Sequence, residues 1–280
     1  MNGHANLDAQ TVDGFGEEWA RFDQSGASAE ELKDAFEKYF SEFPWDRLPR
    51  GARGIDVGCG TGRWARLVAP RVGSLTCIDA SEKALAVAQK NLSPFANVDL
   101  KVADVGQLPF GDSELDFGYS LGVLHHVPDT LAGIRECVRV LKPGAPFLLY
   151  LYYALDNRPS WYRGLWRAGD AVRKVVSRLP QPARLAAAEV AAATLYWPLA
   201  RTALLGERMG LDVKAVPLAF YRHHSFYIMR NDALDRFGTR LEQRFTRAQI
   251  EQMMTAAGLV DLRFREGTPY WCAVGYKRKA

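Results

Sequence analysis

Cysteine is scarce. Four residues, Cys59, Cys77, Cys137 and Cys272, are spread over 280 positions, and none stands at a metal-finger spacing from another. Each lies in or beside an apolar stretch, where a free thiol behaves as a small hydrophobe. A disulfide framework is therefore not expected, and a reducing, cytoplasmic compartment is. Long apolar runs are lacking too. The best stretch, 183–200, is interrupted by Arg184, Glu189 and Pro198 and falls short of the ~20 apolar residues that a membrane span needs. Residues 1–24 are polar and mixed in charge, so no secretory segment is expected. Charge of one sign is nearly balanced: 36 basic against 32 acidic residues leave +4, too mild to argue for nucleic acid. No RNA-binding module or long basic tail is present, nor any internal repeat or low-complexity tract.

What remains is a chain that is 48% apolar, enough for a full core, and long enough for one large domain with an insertion. Residues 1–50 read as an N-terminal helical lid segment. Its first 27 residues are a polar lead-in with one aromatic knot, Phe15, Trp19 and Phe22; Ser28 and Glu31 then frame a capping box. Leu32, Ala35, Phe36, Tyr39 and Phe40 follow at helical spacing. From 51 to 152, five short apolar runs (54–57, 75–78, 98–102, 115–120, 147–152) alternate with amphipathic stretches. This is the texture of a parallel sheet with crossover helices on both faces. Residues 153–245 break the rhythm as a helical insertion. It resumes over 246–280 with a Thr246/Gln249 capping box, a helix stopped by Gly258, and two strand-like runs expected to form an antiparallel hairpin.

Asp56-Val-Gly58-Cys59-Gly60-Thr-Gly62 lies between a strand and a helix. Glycines let the chain turn tightly and let a ligand approach the backbone, and open α/β folds bind nucleotides at such turns. Asp79 ends the second strand, where a carboxylate can accept from both ribose hydroxyls. Asp104 ends the third and could take an exocyclic amine. A glycine turn without a ligand, or a nicotinamide site of the G-x-G-x-x-A kind, are the competing readings.

These residues, together with Ile78-Asp79-Ala80-Ser81, Leu108-Pro-Phe110, Leu121-Gly-Val-Leu-His125-His126-Val127 and Val140-Leu-Lys-Pro-Gly144, resemble the class I S-adenosylmethionine-dependent methyltransferases. They look closest to the branch with the ubiquinone/menaquinone methylases. The resemblance implies a Rossmann-like seven-stranded sheet, order 3-2-1-4-5-7-6 with strand 7 antiparallel, and S-adenosylmethionine as cofactor. It implies Gly58, Cys59, Gly60 and Gly62 beside the methionine part with Asp56 near its ammonium, and Asp79 on the ribose. Ala80, Asp104 and Val105 would meet the adenine, and Ser120 and Leu121 would place carbonyls near the amine.

Methyl transfer asks chiefly for orientation; a general base is optional. His126 and His125, at the end of the fourth strand, are the candidate bases, or else cap the next helix. In the insertion, His223-His224 lacks the further ligands that a metal needs, and no metal site is expected. Trp19 reads as a lid over the cofactor or as packing. Tyr152, Tyr153, Tyr221 and His224 suggest an aromatic acceptor pocket, hence a small organic, lipid-like or glycan-linked acceptor. A non-catalytic cofactor-binding partner subunit and a protein or RNA methyltransferase are the alternatives. Over 160–179, Arg163, Arg167, Lys174 and Arg178 share one helical face, and Trp161, Leu165, Val172, Val175, Val176 and Leu179 the opposite one. Such a helix either packs its apolar face inward or contacts an anionic lipid, phosphate or acidic partner. The stretch 183–200 is expected to pair with it as a hairpin.

Overall fold

The computed structural model of the protein describes residues 6–23, 26, 28–213 and 216–279; the first five residues of the polar lead-in lie outside them. In chain order come α1 (Ala9–Arg21), α2 (Ala29–Tyr39), β1 (Arg53–Val57), α3 (Ala65–Val68), β2 (Ser74–Asp79), α4 (Glu82–Leu92), β3 (Val98–Val102), β4 (Phe117–Leu121), α5 (Thr130–Val140) and β5 (Pro146–Tyr150). Four further helices follow, α6 (Ser160–Val176), α7 (Gln181–Ala191), α8 (Trp197–Arg208) and α9 (Phe226–Gly238), and the chain closes with α10 (Arg247–Ala256), β6 (Leu259–Phe264) and β7 (Ala273–Lys277). It divides into two compact units, one of residues 1–23, 32–156 and 241–280, the other of 24–31 and 157–240.

In the first unit, the seven strands form one sheet in the order β3-β2-β1-β4-β5-β7-β6. The pairs from β3 to β5 are parallel, and β7 runs antiparallel to both β5 and β6. This is the expected Rossmann-like topology. Successive side chains of a strand point to opposite faces, and two cores result. Ile55, Val57, Phe147 and Leu149 join one with α5 and α10, whereas Leu75, Cys77, Phe117, Tyr119 and Leu148 join the other with Phe36, Phe40 and Trp64. The four cysteines are free and buried. Side-chain caps start the helices where the sequence offers them: Ser81 accepts from Ala84 N, Asp129 from Ala132 N, and the Thr246/Gln249 box is complete.

The lead-in differs from expectation, because its aromatic knot is a helix. Asp8 caps α1 by accepting from the Thr11 amide and hydroxyl (2.8 and 2.6 Å). Gly14 and Gly16 mask its helical spacing, each a weak helix former. Gly16 has a packing reason, since a Cβ there would meet Ser81 Oγ at 2.4 Å.

The second unit is helical. A π turn (Ala192–Tyr196) continues α7 into α8. Ala192, Tyr196, Ala200, Met229 and Ala233 make its small core, and Arg230 pairs with Glu189. Two expectations change here. The 183–200 stretch packs mainly on α9 rather than on α6. And α6 turns inward neither its apolar nor its basic face but a third line, Tyr162, Trp166, Asp170, Arg173 and Ser177. Arg173 is buried there, donating to Asp170 Oδ1 (2.8 Å) and to the Thr239 carbonyl just past α9 (3.0 Å). A cation at the end of a helix is favoured by its dipole, so this contact sets the rotation of α6. No helix among the described residues is long and apolar enough to cross a membrane.

Candidate active site

The first unit opens into a cleft at the carboxyl ends of β1 to β4, with α1 as one wall. Its floor is the glycine turn. Gly58, Gly60 and Gly62 have φ of +79, +54 and +76°, a left-handed backbone that other residues disfavour. Space forbids side chains as well: a Cβ on Gly58 would meet Val123 at 2.4 Å, one on Gly62 would meet Leu92 at 2.7 Å, and one on Gly60 would press Trp19 Nε1 at 3.2 Å.

The turn is tied to the neighbouring strand. The Gly58 and Cys59 amides both donate to the Ile78 carbonyl (2.7 and 2.9 Å). The Gly60 amide donates to Asp79 Oδ2 and the Ser81 amide to Asp79 Oδ1, each at 2.9 Å. A carboxylate has about four acceptor positions, so Asp79 keeps capacity on both oxygens for a diol in the cleft. Burial raises its pKa, opposed by the amides of Ser81, Gly60 and Ala80.

Behind the turn, Asp56 is buried and its Oδ2 has no hydrogen-bond partner among the described residues. Burial pushes its carboxyl up to about 8; the Tyr119 hydroxyl beside it lowers the value and the Asp79 charge raises it. A carboxyl so desolvated would be favoured in its charged form by a positive charge nearby. On the far side, Asp104 Oδ1 accepts from the amides of Gly106 (2.6 Å) and Asn6 (3.2 Å). Asn6 also exchanges two hydrogen bonds with the Asp129 backbone (2.7 and 2.9 Å), which latches the start of α1 to the sheet edge.

Gly58, Cys59, Gly60, Asp79, Ala80, Asp104, Val105, Leu121, Trp19 and His126 line this one cleft. Asp56, Gly62 and Ser120 stand outside that lining; the Ser120 hydroxyl braces the turn by donating to the Val57 carbonyl (2.9 Å). Sequence reasoning missed Asn6, Thr11, Val12, Arg63 and Val123. Arg63 immediately follows Gly62, a position that was readable. It lies over the Trp64 ring at 4.3 Å and forms no ion pair among the described residues. Asn6 left no local signal, because its partners are about a hundred residues away.

His126 Nδ1 sits 2.7 Å from the Leu241 carbonyl. A carbonyl only accepts, so Nδ1 carries the proton and, in the neutral ring, Nε2 is the basic nitrogen. The segment that supplies Leu241 is itself pinned to the turn: the Gln243 amide donates to the His125 carbonyl (3.0 Å) and its side chain to the Val127 carbonyl (2.8 Å). Residues 241–245, expected in the insertion, thus belong with the first unit. His125 is fully buried, with ring centroids 3.9 Å from those of both His126 and Tyr152. Burial, then the charges of His126 and Arg244, hold it far below the usual histidine range, so it is neutral. Tyr152 edges His126 at 5.6 Å, Phe15 edges it at 4.8 Å, and Arg244 caps Tyr152 at 5.1 Å. Tyr153 packs on Tyr270 instead. Tyr221 and His224 lie in the second unit, on Tyr196 and Phe220. Among the described residues no cluster could hold a metal.

Residues 55–149 match the family described as a methyltransferase domain. Over 99 residues the chain is 40% identical to the demethylmenaquinone methyltransferase of Staphylococcus aureus (strain MRSA252). That stretch is 34% of this chain and 41% of the relative, so the match spans about two fifths of the relative's length. Among solved structures, the fold is similar to the candidate methyltransferase in complex with the Haloferax volcanii Trm112 methyltransferase activator (TM-score 0.53, 15% identity, 96% of this chain and 98% of that one). It is also similar to a candidate methyltransferase from Bacillus halodurans (TM-score 0.50, 19% identity, 83% and 72%). Identities this low speak for the fold alone.

Proposed function

The chain carries a class I methyltransferase domain, and from that premise we propose that it is an S-adenosylmethionine-dependent methyltransferase for a small organic acceptor. The observation that carries the reading is the join of Gly60 to Asp79, which sets a bare backbone turn and a half-used carboxylate side by side. The buried, unbonded Asp56 oxygen fits a cationic group nearby, and Arg63 fits the carboxylate at the other end of an amino acid. Asp79 would hold the ribose, and Ala80, Asp104 and Val105 the adenine.

When bound, the cofactor supplies a methyl group already on a sulfonium leaving group, so the chain has no leaving group to protonate. Its own residues have two tasks. The glycine turn and the α1 wall orient the partners and exclude water; orientation alone is worth ~7–11 kcal/mol. His126, its tautomer fixed by Leu241, offers Nε2 to take the proton of an acceptor hydroxyl or of an acidic carbon. Phe15 and His126 present aromatic surface in the same cleft, with Tyr152 packed behind His126. Together with the demethylmenaquinone methyltransferase relatives, they support a planar, quinone-type acceptor.

Calorimetry with S-adenosylmethionine tests the first half: binding by the wild type and its loss in Asp79→Ala are expected, and no binding by the wild type ends the reading. Transfer of a labelled methyl group into fractionated cell extract tests the second. Label is expected in the organic-soluble fraction. Label in protein or RNA would redirect the acceptor class, and binding without transfer would leave a non-catalytic subunit. His126→Gln is expected to cut turnover by ~10²–10⁴ while cofactor affinity holds; unchanged turnover would remove His126 as the base.

A further inference from the structure

Helix α6 exposes the face that an amphipathic helix ordinarily buries. Trp161, Leu165, Val172 and Val175 are 54–64% exposed, although they fall on one side of the helix. The side turned inward is the line built around Asp170 and Arg173. The third side is basic: Arg163, Arg167, Lys174 and Arg178 are exposed. Among the described residues Arg163, Arg167 and Arg178 form no ion pair, and only Lys174 is bridged, to Asp170 at 2.9 Å. Counted round the helix at 100° per residue, only the small residues Gly164 and Ala171 separate the apolar side from the basic one. The outer surface of α6 is therefore one continuous strip, apolar along one edge and cationic along the other.

The charge of the whole insertion agrees. Residues 157–240 hold 14 basic and 6 acidic side chains, net +8, while the rest of the chain holds 22 and 26, net −4. Further apolar side chains stand open on the same unit, including Leu205, Met209 and Leu211.

We propose that α6 is an interfacial helix that lays this strip on an anionic lipid surface, Trp161 and its apolar companions entering the headgroup boundary and the arginines meeting lipid phosphates. Apolar area and attraction to anionic lipid add in such binding, and tryptophan favours the interface. No spanning helix is needed. The inference does not draw on the methyl-transfer reading.

Co-sedimentation of the full chain with vesicles of phosphatidylcholine, with or without phosphatidylglycerol, tests it. Adsorption is expected on the mixed vesicles only and is expected to fall as salt rises. Arg163→Glu with Arg167→Glu and Arg178→Glu should reduce the bound fraction at least about tenfold; Trp161→Ser with Val175→Ser should do so by another route. All five positions are exposed, and far-ultraviolet circular dichroism is expected to be unchanged in both variants. No adsorption to either vesicle, equal adsorption to both, or adsorption that neither variant weakens would overturn the proposal. So would a dimer in sedimentation equilibrium that Trp161→Ser with Val175→Ser dissociates, because the face would then belong to a second copy of the chain.

Discussion

Asp56 shows how much of the site is set by burial. In an unfolded chain its carboxyl titrates near ~3.9; in the folded protein it is held at about 8. Between those values the native state keeps a proton that the unfolded chain has released. Its contribution to stability is therefore full below the lower value and is lost as pH rises through the higher one. Asp56→Asn removes the titration. Its stability relative to wild type, read by denaturant unfolding at several pH values, should rise by about 1.4 kcal/mol per pH unit from about 4 to about 8 and then level. A flat difference would mean that Asp56 is already ionised in the native protein. The residue itself was legible, along with the glycines, Asp79 and Asp104, because each is fixed by its place at a strand end. What it touches was not. Tyr119 stands on a different strand, and the Leu241 carbonyl that orients His126 lies 115 residues further on.

Among elements, strands and capped helices of the first unit were readable because burial follows the two-residue and 3.6-residue periods. Helix α1 and the inward side of α6 were not, for different reasons. In α1 two glycines diluted a spacing (Val12, Phe15, Trp19, Phe22) that was nonetheless present. In α6 the periodicity was plain, but a buried ion pair, rather than hydrophobicity, decided which side turned inward. The Asn6 latch makes α1 testable as an element. Asn6→Ala strands the Asp129 amide and unfastens the beginning of the helix, at a cost of about 1–3 kcal/mol locally. Faster amide exchange over residues 9–21 and several-fold weaker binding of S-adenosylmethionine are expected. Unchanged exchange would show that α1 is held by its aromatic contacts alone.

At the scale of the whole molecule, any ligand that binds only the folded first unit must stabilise it. Saturation at 100 times Kd adds about 2.7 kcal/mol. A scanning calorimeter should therefore record an upward shift in Tm that grows with S-adenosylmethionine concentration, and no shift with a nicotinamide dinucleotide.

The path of the backbone through Asp156 and Leu241 has one more consequence. Tyr153 bridges Phe245, the Ala154 amide donates to the Phe245 carbonyl (2.8 Å), and the Arg247 amide donates to Asp156 Oδ2 (3.0 Å). Departure and return thus lie abreast, and residues 157–240 form a parenthesis that could be struck out without stretching the text on either side. Domains interrupted at such adjoining points tolerate excision and transplantation. A chain in which a short Gly/Ser tether replaces 157–240 should still fold, still grip the sulfonium donor, and no longer sediment with charged liposomes. Residues 157–240 would then be a detachable address on a domain that works without them.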